Sequence, residues 1–551
     1  MVDWSTLGRL TGAMVKTKDL FARGMGPSAA LVFFCVMGAG DVPAATRPNI
    51  VLIVADDMGF SDLGCYGSEI KTPNIDRLAA GGLRFSQFYS CSVCGISRAS
   101  MLTGLYHHQV DIHSWNGTRN DRGVTIDEVL HENGYHTMMA GNMLMVGKWA
   151  NPEVADHRSL DRYFGLQGNG PNSYFDGVRC AWWFLDDEPY EIPSKGYYNT
   201  DQLTDFAVQF IDEAVEKEQP FFLYLAYMAP HWPLHAKPAD IAKYRKLYSD
   251  AGWDAIRKQR HEQLLQLGLI DPAWRLPPRD QRIGPWEDET NKSWQAERMA
   301  VYAAQIDCLD QNVGRVLEAL RTAEVERNTL ILFLSDNGAA SQGDDRGGPT
   351  SQGLDRSVRG GSWRRDDHPM RAGNDPSIMP GPHDTFATYG PAWANVSTTP
   401  FRGYKQATHE GGIAVPLIVH WPTTVTPGGA ITHEVSHVMD IMATCLDATG
   451  IAYPRQWNDK PILPLEGKSL LPVLKGKTRE GHKTLFWQYA GRRAVRADSW
   501  KLVSERDQPW ELYDMQKDRT EMDDLANQES ARVQEMSGMY NDWAGRVGIS
   551  P

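Results

Sequence analysis

Three continuous apolar runs, Ile50–Ala55, Phe221–Tyr227 and Thr329–Ser335, constrain this chain more than any other feature. Short runs without polar alternation read as strands buried on both faces, the pattern of a parallel sheet covered by helices. Helical periodicity fills the intervals, as with Phe206, Ala207, Phe210, Ile211 and Ala214 in Thr204–Val215. Arg298–Leu320 carries the same spacing through Val301, Ala304, Leu309, Val313, Val316 and Leu320. Alternation of this kind predicts an α/β chain with a large mixed or mostly parallel sheet flanked by helices on both faces. Pro416–Trp421 reads as a further strand.

Each run ends in polar residues. Ile50–Ala55 leads into Asp56-Asp57, Thr329–Ser335 into Asp336-Asn337, and Phe221–Tyr227 into Ala229-Pro230-His231-Trp232-Pro233. A fourth apolar segment, Met138–Val146, leads into Gly147-Lys148-Trp149. Functional groups in open α/β sheets gather beyond the carboxyl ends of the strands, so these four ends predict one site. Adjacent carboxylates at the end of a buried strand are costly unless a cation compensates them. Asp56, Asp57, Asp336 and Asn337 offer only hard oxygen donors, which suit Ca²⁺ or Mg²⁺ better than zinc.

The stretch Ser90–Gly104 reads as a loop feeding a helix, with Gly95 and Ser97 as turn and cap residues and Ala99–Leu102 as helix formers. Cys94 and Arg98 lie four apart and share one face of the first turn. A reactive group at a helix start beside a guanidinium suits an oxyanion such as sulfate or phosphate. Cys91-x-x-Cys94 also has the spacing of a redox pair or a disulfide.

A net charge of −13 argues against a whole-protein nucleic-acid binder. Lys16, Lys18 and Arg23, the apolar run Ala29–Met37 and the small residues Ala44-Ala45 together read as a signal peptide over residues 1–45. That predicts an exported protein, periplasmic or secreted, and no later run is long enough for a stable membrane span. Two intervals break the strand–helix rhythm. Residues 240–295 look helical from Lys243 to Gly268, and residues 339–398 read as one long loop, a candidate lid. Thr484–Tyr489, Arg493–Arg496, Trp500–Val503 and Glu511–Asp514 read as short strands, followed by a helical segment from Glu529 to Val547. We therefore expect a catalytic domain over residues 46–476 and a small antiparallel-sheet subdomain over residues 477–551.

Taken together, these motifs resemble the formylglycine-dependent (type I) sulfatases, arylsulfatases included, of the alkaline-phosphatase-like superfamily. The resemblance rests on Pro48–Gly59, Ser335–Ala339, Ala229–Pro233, Gly147–Trp149 and Glu410-Gly411-Gly412, and it covers nearly all of the chain after the leader. It implies an alkaline-phosphatase-like fold and hydrolysis of an aryl or carbohydrate sulfate. Cys94 would be oxidised to formylglycine by a formylglycine-generating or sulfatase-maturating enzyme. One hydroxyl of the hydrated aldehyde would then attack sulfur. Asp56, Asp57, Asp336, Asn337 and the modified Cys94 would hold Ca²⁺, with Mg²⁺ as the alternative. Arg98 and Lys148 would stabilise negative charge, and His231 and Lys405 would hold the ester and assist the leaving oxygen.

The sequence departs from the family pattern twice. Ile96 stands where the family has proline, and Ala150 follows Trp149 where the family has histidine, with His157 nearby in the chain. These departures keep two other readings open. One is a phosphodiesterase or phosphonate hydrolase on the same scaffold. The other is a non-catalytic binder of sulfated glycans using the arginines of residues 339–398.

Overall fold

β1 (Asn49–Ala55) is buried along its whole length and lies in the middle of a ten-stranded sheet. The computed structural model describes residues 47–114, 119–142, 159–167, 173–175, 182–342 and 371–549. The leader, Lys148, Ala150 and His157 lie outside them. The other strands are β2 (Leu83–Phe85), β3 (His136–Asn142), β4 (Arg162–Gln167), β5 (Trp182–Leu185), β6 (Glu188–Pro189), β7 (Phe221–Ala226), β8 (Thr329–Ser335), β9 (Leu417–His420) and β10 (Ala430–Thr432). Their order across the sheet is β10-β2-β9-β8-β1-β7-β3-β4-β5-β6. The run β8-β1-β7-β3-β4 is parallel, while β9 pairs antiparallel with both β8 and β2, and β5 with both β4 and β6. The large mixed sheet is as the apolar runs predict.

Strand periodicity divides β1 between two cores. Val51, Ile53 and Ala55 join one hydrophobic cluster, with Met299, Ala300 and Val301 of the helix Lys292–Thr322. Ile50, Leu52 and Val54 join the other, with Ile96, Ala99, Met101 and Leu102 of α1 (Cys94–Thr103). Both faces are therefore dry, which is why the run contains no polar residue.

α1 corrects the reading of Ser90–Gly104. The helix begins at Cys94 itself, with extended Val93 before it, so Gly95 and Ser97 are helical rather than turn and cap residues. Ser97 Oγ donates to the Cys91 carbonyl at 2.8 Å instead of capping. All ten residues of α1 are buried, and packing of this kind outweighs local capping preference.

α2 (Asn199–Glu216) and α4 (Lys292–Thr322) follow the predicted periodicities, and α3 (Arg245–Gln266) fills the segment read as helical. α3 is broken at Gly252, whose φ of 67° lies in the left-handed region and whose added Cβ would meet the Trp286 ring at 2.2 Å. The expected single loop over residues 339–398 is corrected within its described part, where Gly390–Ser397 is a helix with Trp393 fully buried. The Met138–Val146 segment forms strand as far as Asn142, and its remainder lies outside the described residues.

Near the C-terminus, β11 (Thr484–Tyr489), β12 (Arg492–Ala497), β13 (Trp500–Ser504) and β14 (Glu511–Asp514) form a separate antiparallel sheet in sequence order, followed by α5 (Ser530–Val547). Charge ties this sheet to the main fold. Lys501 Nζ of β13 lies 2.8 Å from both Glu410 Oε1 and Glu521 Oε1, and Arg519 Nε lies 2.7 Å from Glu410 Oε2; all four side chains are fully buried.

Candidate active site

Backbone hydrogen bonds bring three strand ends to one level. The Tyr227 amide donates to the Val54 carbonyl at 2.9 Å, the Asp56 amide to Ala229 at 3.1 Å, and the Asp336 amide to Ala55 at 3.1 Å. Strand alternation would send Asp56 and Asp57 to opposite faces. Asp57 instead takes a left-handed φ of 66°, which breaks the alternation and lets both carboxylates serve one site. Asn337 Nδ2 then donates to Asp57 Oδ1 at 2.7 Å, and the Asp57 amide donates to Asp336 Oδ1 at 3.3 Å. Gly338 permits this approach, because a Cβ there would lie 1.9 Å from the Gly411 carbonyl oxygen.

Two cations close the cluster. Arg98, fully buried on α1, reaches Asp56 Oδ2 at 3.0 Å and Asp336 Oδ2 at 2.7 Å, and donates to the Asn142 carbonyl at 3.2 Å. Lys405 Nζ lies 2.5 Å from Asp57 Oδ1 and 3.8 Å from Cys94 Sγ. Its segment is fixed by the Lys405 amide donating to Ala339 at 2.9 Å and the Gln406 amide donating to Ser92 at 2.7 Å. His231 presents Nε2 to Asp57 Oδ2 at 3.5 Å while its Nδ1 lies 2.6 Å from the Trp232 carbonyl. A carbonyl only accepts, so Nδ1 carries a proton, and Nε2 faces the Asp57 carboxylate.

Burial and the neighbouring Asp336 push the Asp56 carboxyl well above its ordinary range. Burial opposes ionisation of Asp57 as well, but Lys405, His231 and the Asn337 amide outweigh it and hold Asp57 low. Burial also pushes the Cys94 thiol up to about 12, with Lys405 opposing and the three carboxylates reinforcing. Cys94 is therefore a neutral thiol among the protein's own groups, and a poor nucleophile.

The donor set fits a hard divalent cation. Asp56 Oδ1, Asp57 Oδ2 and Asn337 Oδ1 are buried oxygens without a hydrogen-bond partner, although such atoms are normally satisfied. Ligand atoms of Asp56, Asp57 and His231 lie within 4.8 Å of one another. Orphaned oxygens and excess carboxylate charge at one point are what an oxygen-ligated ion would satisfy.

Of the residues singled out by sequence, Cys94, Arg98, His231, Lys405, Asp56, Asp57, Asp336 and Asn337 come together here, while Lys148 lies outside the described residues. Sequence reasoning missed Asn142, which ends β3 beside Arg98 with both side-chain polar atoms buried and unpartnered. Its signal was a polar residue interrupting the apolar segment Met138–Val146. Also missed was Tyr174, whose hydroxyl lies 2.8 Å from the Met228 and His231 carbonyls and braces the His231 turn. Cys91 and Cys94 are both free thiols, so they form no disulfide. His107 and His108 are buried packing residues, with His108 Nε2 2.9 Å from Gln488 Oε1.

A parallel-centred sheet carrying a carboxylate cluster beyond its strand ends defines an α/β enzyme with its site at the carboxyl ends of the strands. Within that class, the Sulfatase family model matches residues 48–451, and the model for the C-terminal region of N-sulphoglucosamine sulphohydrolase matches residues 403–539. An uncharacterized sulfatase of Schizosaccharomyces pombe is 31% identical over 91% of this chain and 94% of its own length. An arylsulfatase of Klebsiella aerogenes is 30% identical over 82% of this chain and 97% of its own. The crystal structure of Ps i-CgsB in complex with k-i-k-neocarrahexaose superposes with a TM-score of 0.64 at 26% identity, covering 90% of this chain and 93% of that one. The chain belongs to the sulfatase family, and it is a sulfatase enzyme acting on sulfate esters.

Proposed function

We propose that this sulfatase releases inorganic sulfate from an aryl or carbohydrate sulfate, using a nucleophile made from Cys94 and one divalent cation, Ca²⁺ in preference to Mg²⁺. The observation that carries the reading is the convergence of three unpartnered buried oxygens, on Asp56, Asp57 and Asn337, beside Cys94 and two cationic side chains. Asp56, Asp57, Asp336, Asn337 and the oxygen of the modified residue 94 would hold the ion. When bound, it would supply positive charge to the sulfate oxygens and to the nucleophile.

A thiol held neutral at about 12 does not attack sulfur readily. Oxidation of Cys94 to formylglycine by a maturating enzyme would replace it with a hydrated aldehyde bearing a hydroxyl nucleophile. One hydroxyl at position 94 would form a bond to sulfur as the ester sulfur–oxygen bond breaks. The second hydroxyl would then lose its proton and collapse to the aldehyde, breaking the carbon–oxygen bond to the sulfate, which leaves. Lys405 Nζ and Arg98 balance the charge on the sulfate oxygens, a role that Lys148 shares in this reading. His231 Nε2, once protonated, gives its proton to the leaving oxygen, while the Trp232 carbonyl and Tyr174 fix the ring and its turn.

The arylsulfatase of Klebsiella and the neocarrahexaose bound by Ps i-CgsB support an aryl or sugar substrate class. In this reading residues 1–45 export the chain, residues 46–476 hold the catalytic machinery and residues 477–551 form a supporting subdomain. No helix among the described residues is long and apolar enough to cross a membrane.

The test is mass spectrometry of the Cys94 peptide from native-host protein, paired with sulfate release from 4-nitrophenyl sulfate and a sulfated-sugar panel in Ca²⁺. Formylglycine with sulfate release is expected. Formylglycine-bearing protein that releases no sulfate, or that prefers a phosphate diester, overturns the reading.

A further inference from the structure

A cleft of about 810 Å³ opens beside Lys405 and continues between the segment after α3, the Arg402–His409 segment and the C-terminal sheet. Its volume is that of a ligand site. Among the described residues, six lysine or arginine side chains line it against three carboxylates, in a chain whose net charge is −13. The cleft wall is therefore richer in cationic than in carboxylate side chains, against the overall charge of the protein.

Five of those six cations already have a carboxylate partner. Arg279 pairs with Asp254, Arg282 with Asp280, Arg402 with Glu511, Arg492 with Glu505, and Lys405 with Asp57. Arg257 is the exception. It sits on α3 with 7% of its surface exposed, and among the described residues its one side-chain hydrogen bond runs from Nη1 to the Pro277 carbonyl at 2.8 Å. Its Nε is buried without a partner. Asp254, which lies nearby, is engaged on one oxygen by Arg279 and on the other by the Trp286 amide at 2.9 Å. Burial and the nearby Arg279 lower Arg257 to about 10, the direction expected of a guanidinium lacking a full counter-charge. A buried cation without its anion is costly, and a planar guanidinium fork matches a carboxylate or sulfate.

We propose that Arg257 binds a second anionic group, a carboxylate or another sulfate, on the same sugar substrate whose scissile sulfate lies at Cys94 and Lys405. The inference rests on the sulfatase reading of that site and deepens it. The preferred substrates are then saccharides carrying two anions, and Arg257 is a specificity-determining residue. A purely structural role, holding the Pro277 segment through one hydrogen bond, predicts no dependence on the number of anions in the ligand.

The experiment is calorimetry on the full chain carrying Cys94→Ala, in Ca²⁺, so that ligand binds without turnover. Three probes are compared: a disaccharide with one sulfate, one with a sulfate and a uronate carboxylate, and one with two sulfates. At least one two-anion probe should bind about tenfold or more tighter than the one-anion probe. Adding Arg257→Gln should abolish that preference, and Arg257→Lys should keep part of it. Which two-anion probe gains identifies the second group. Equal binding of all three probes by the Arg257-containing protein overturns the inference without need of any Arg257 variant. An Arg257→Gln protein that weakens all probes alike overturns it too. Sulfate release by the unaltered protein is scored separately, so a failure of the parent reading is distinguished from a failure of this one.

Discussion

Lys405 Nζ lies 2.5 Å from Asp57 Oδ1, and both side chains are almost wholly buried. The ammonium therefore satisfies one oxygen of a carboxylate whose other oxygen, Oδ2, is left for an ion. Lys405→Ala should lower kcat by about 10²- to 10³-fold, as loss of a charge-stabilising donor does. It also leaves Asp57 short of a counter-ion, so the metal-free protein should unfold at lower temperature while the stabilisation gained from Ca²⁺ rises. Activity and Ca²⁺-dependent melting would thus move in opposite directions. A parallel fall in both would count against this account.

The orphaned oxygens predict linkage between ion binding and stability. Ca²⁺ at about 100 times its Kd should stabilise the fold by about 2.7 kcal/mol, and a chelator should reverse the gain. Asp336→Asn should remove most of it, because the cluster loses a negative charge while Arg98 stays. Thermal melts with and without Ca²⁺ read both effects. A gain left intact by Asp336→Asn would show that the ion binds elsewhere.

Gly338 is constrained by space rather than by backbone angle. An alanine Cβ there would meet the Gly411 carbonyl at 1.9 Å, so the chain must separate the Asn337 turn from the Glu410–Ile413 segment. Gly338→Ala should cost about 1–3 kcal/mol in chemical denaturation and weaken Ca²⁺ binding through the displaced Asn337.

Glu410 predicts an acid-sensitive joint. Burial alone would raise its pKa, but Lys501, Arg519 and Arg496 outweigh burial and hold it at about 2. An unfolded glutamate titrates near about 4.3. The folded value is depressed, so the stabilisation is fully present above about pH 4.3 and is lost as pH falls towards 2. Glu410→Gln should cost about 3–5 kcal/mol at pH 7, because Lys501 and Arg519 lose a buried partner. Its stability should then fall less steeply than that of the unaltered protein between pH 4.5 and 2, as read by denaturant midpoints across that window.

The helix explains how isoleucine stands at position 96. Ile96 is the third residue of α1, and the first helical hydrogen bond runs from the Ser97 amide to the Val93 carbonyl at 3.0 Å. The Ile96 amide is not needed by the helix, so proline and isoleucine both fit its first turn. Ile96→Pro should keep the fold, at a cost of about 1–2 kcal/mol for the buried side chain it removes. It should also raise the fraction of Cys94 found as formylglycine by mass spectrometry. An unchanged fraction would show that the maturating enzyme does not read this position.

Sequence reasoning carried far where chemistry is local. The apolar runs at Ile50–Ala55 and Thr329–Ser335 report burial directly, and the carboxylates that end them are anomalous enough to mark a site. It failed where packing overrides local preference. Gly95 and Ser97 look like turn and cap residues, yet they lie inside a wholly buried helix. Trp393 sits in the core within a stretch whose Gly, Asp and Pro content reads as loop.

What the sequence determined by itself was the sheet, its helical flanks and the residue types at its strand ends, because periodicity and burial are written over neighbouring residues. Only the tertiary structure decided which charges meet. Arg98 joins Asp336 across 238 residues, Lys405 joins Asp57 across 348, and Lys501 joins Glu410 across 91. Arg257 pairs with no carboxylate among the described residues. Whether a buried ion is paired or left for a ligand depends on distances of a few ångströms between residues far apart in the chain, and no local pattern encodes those.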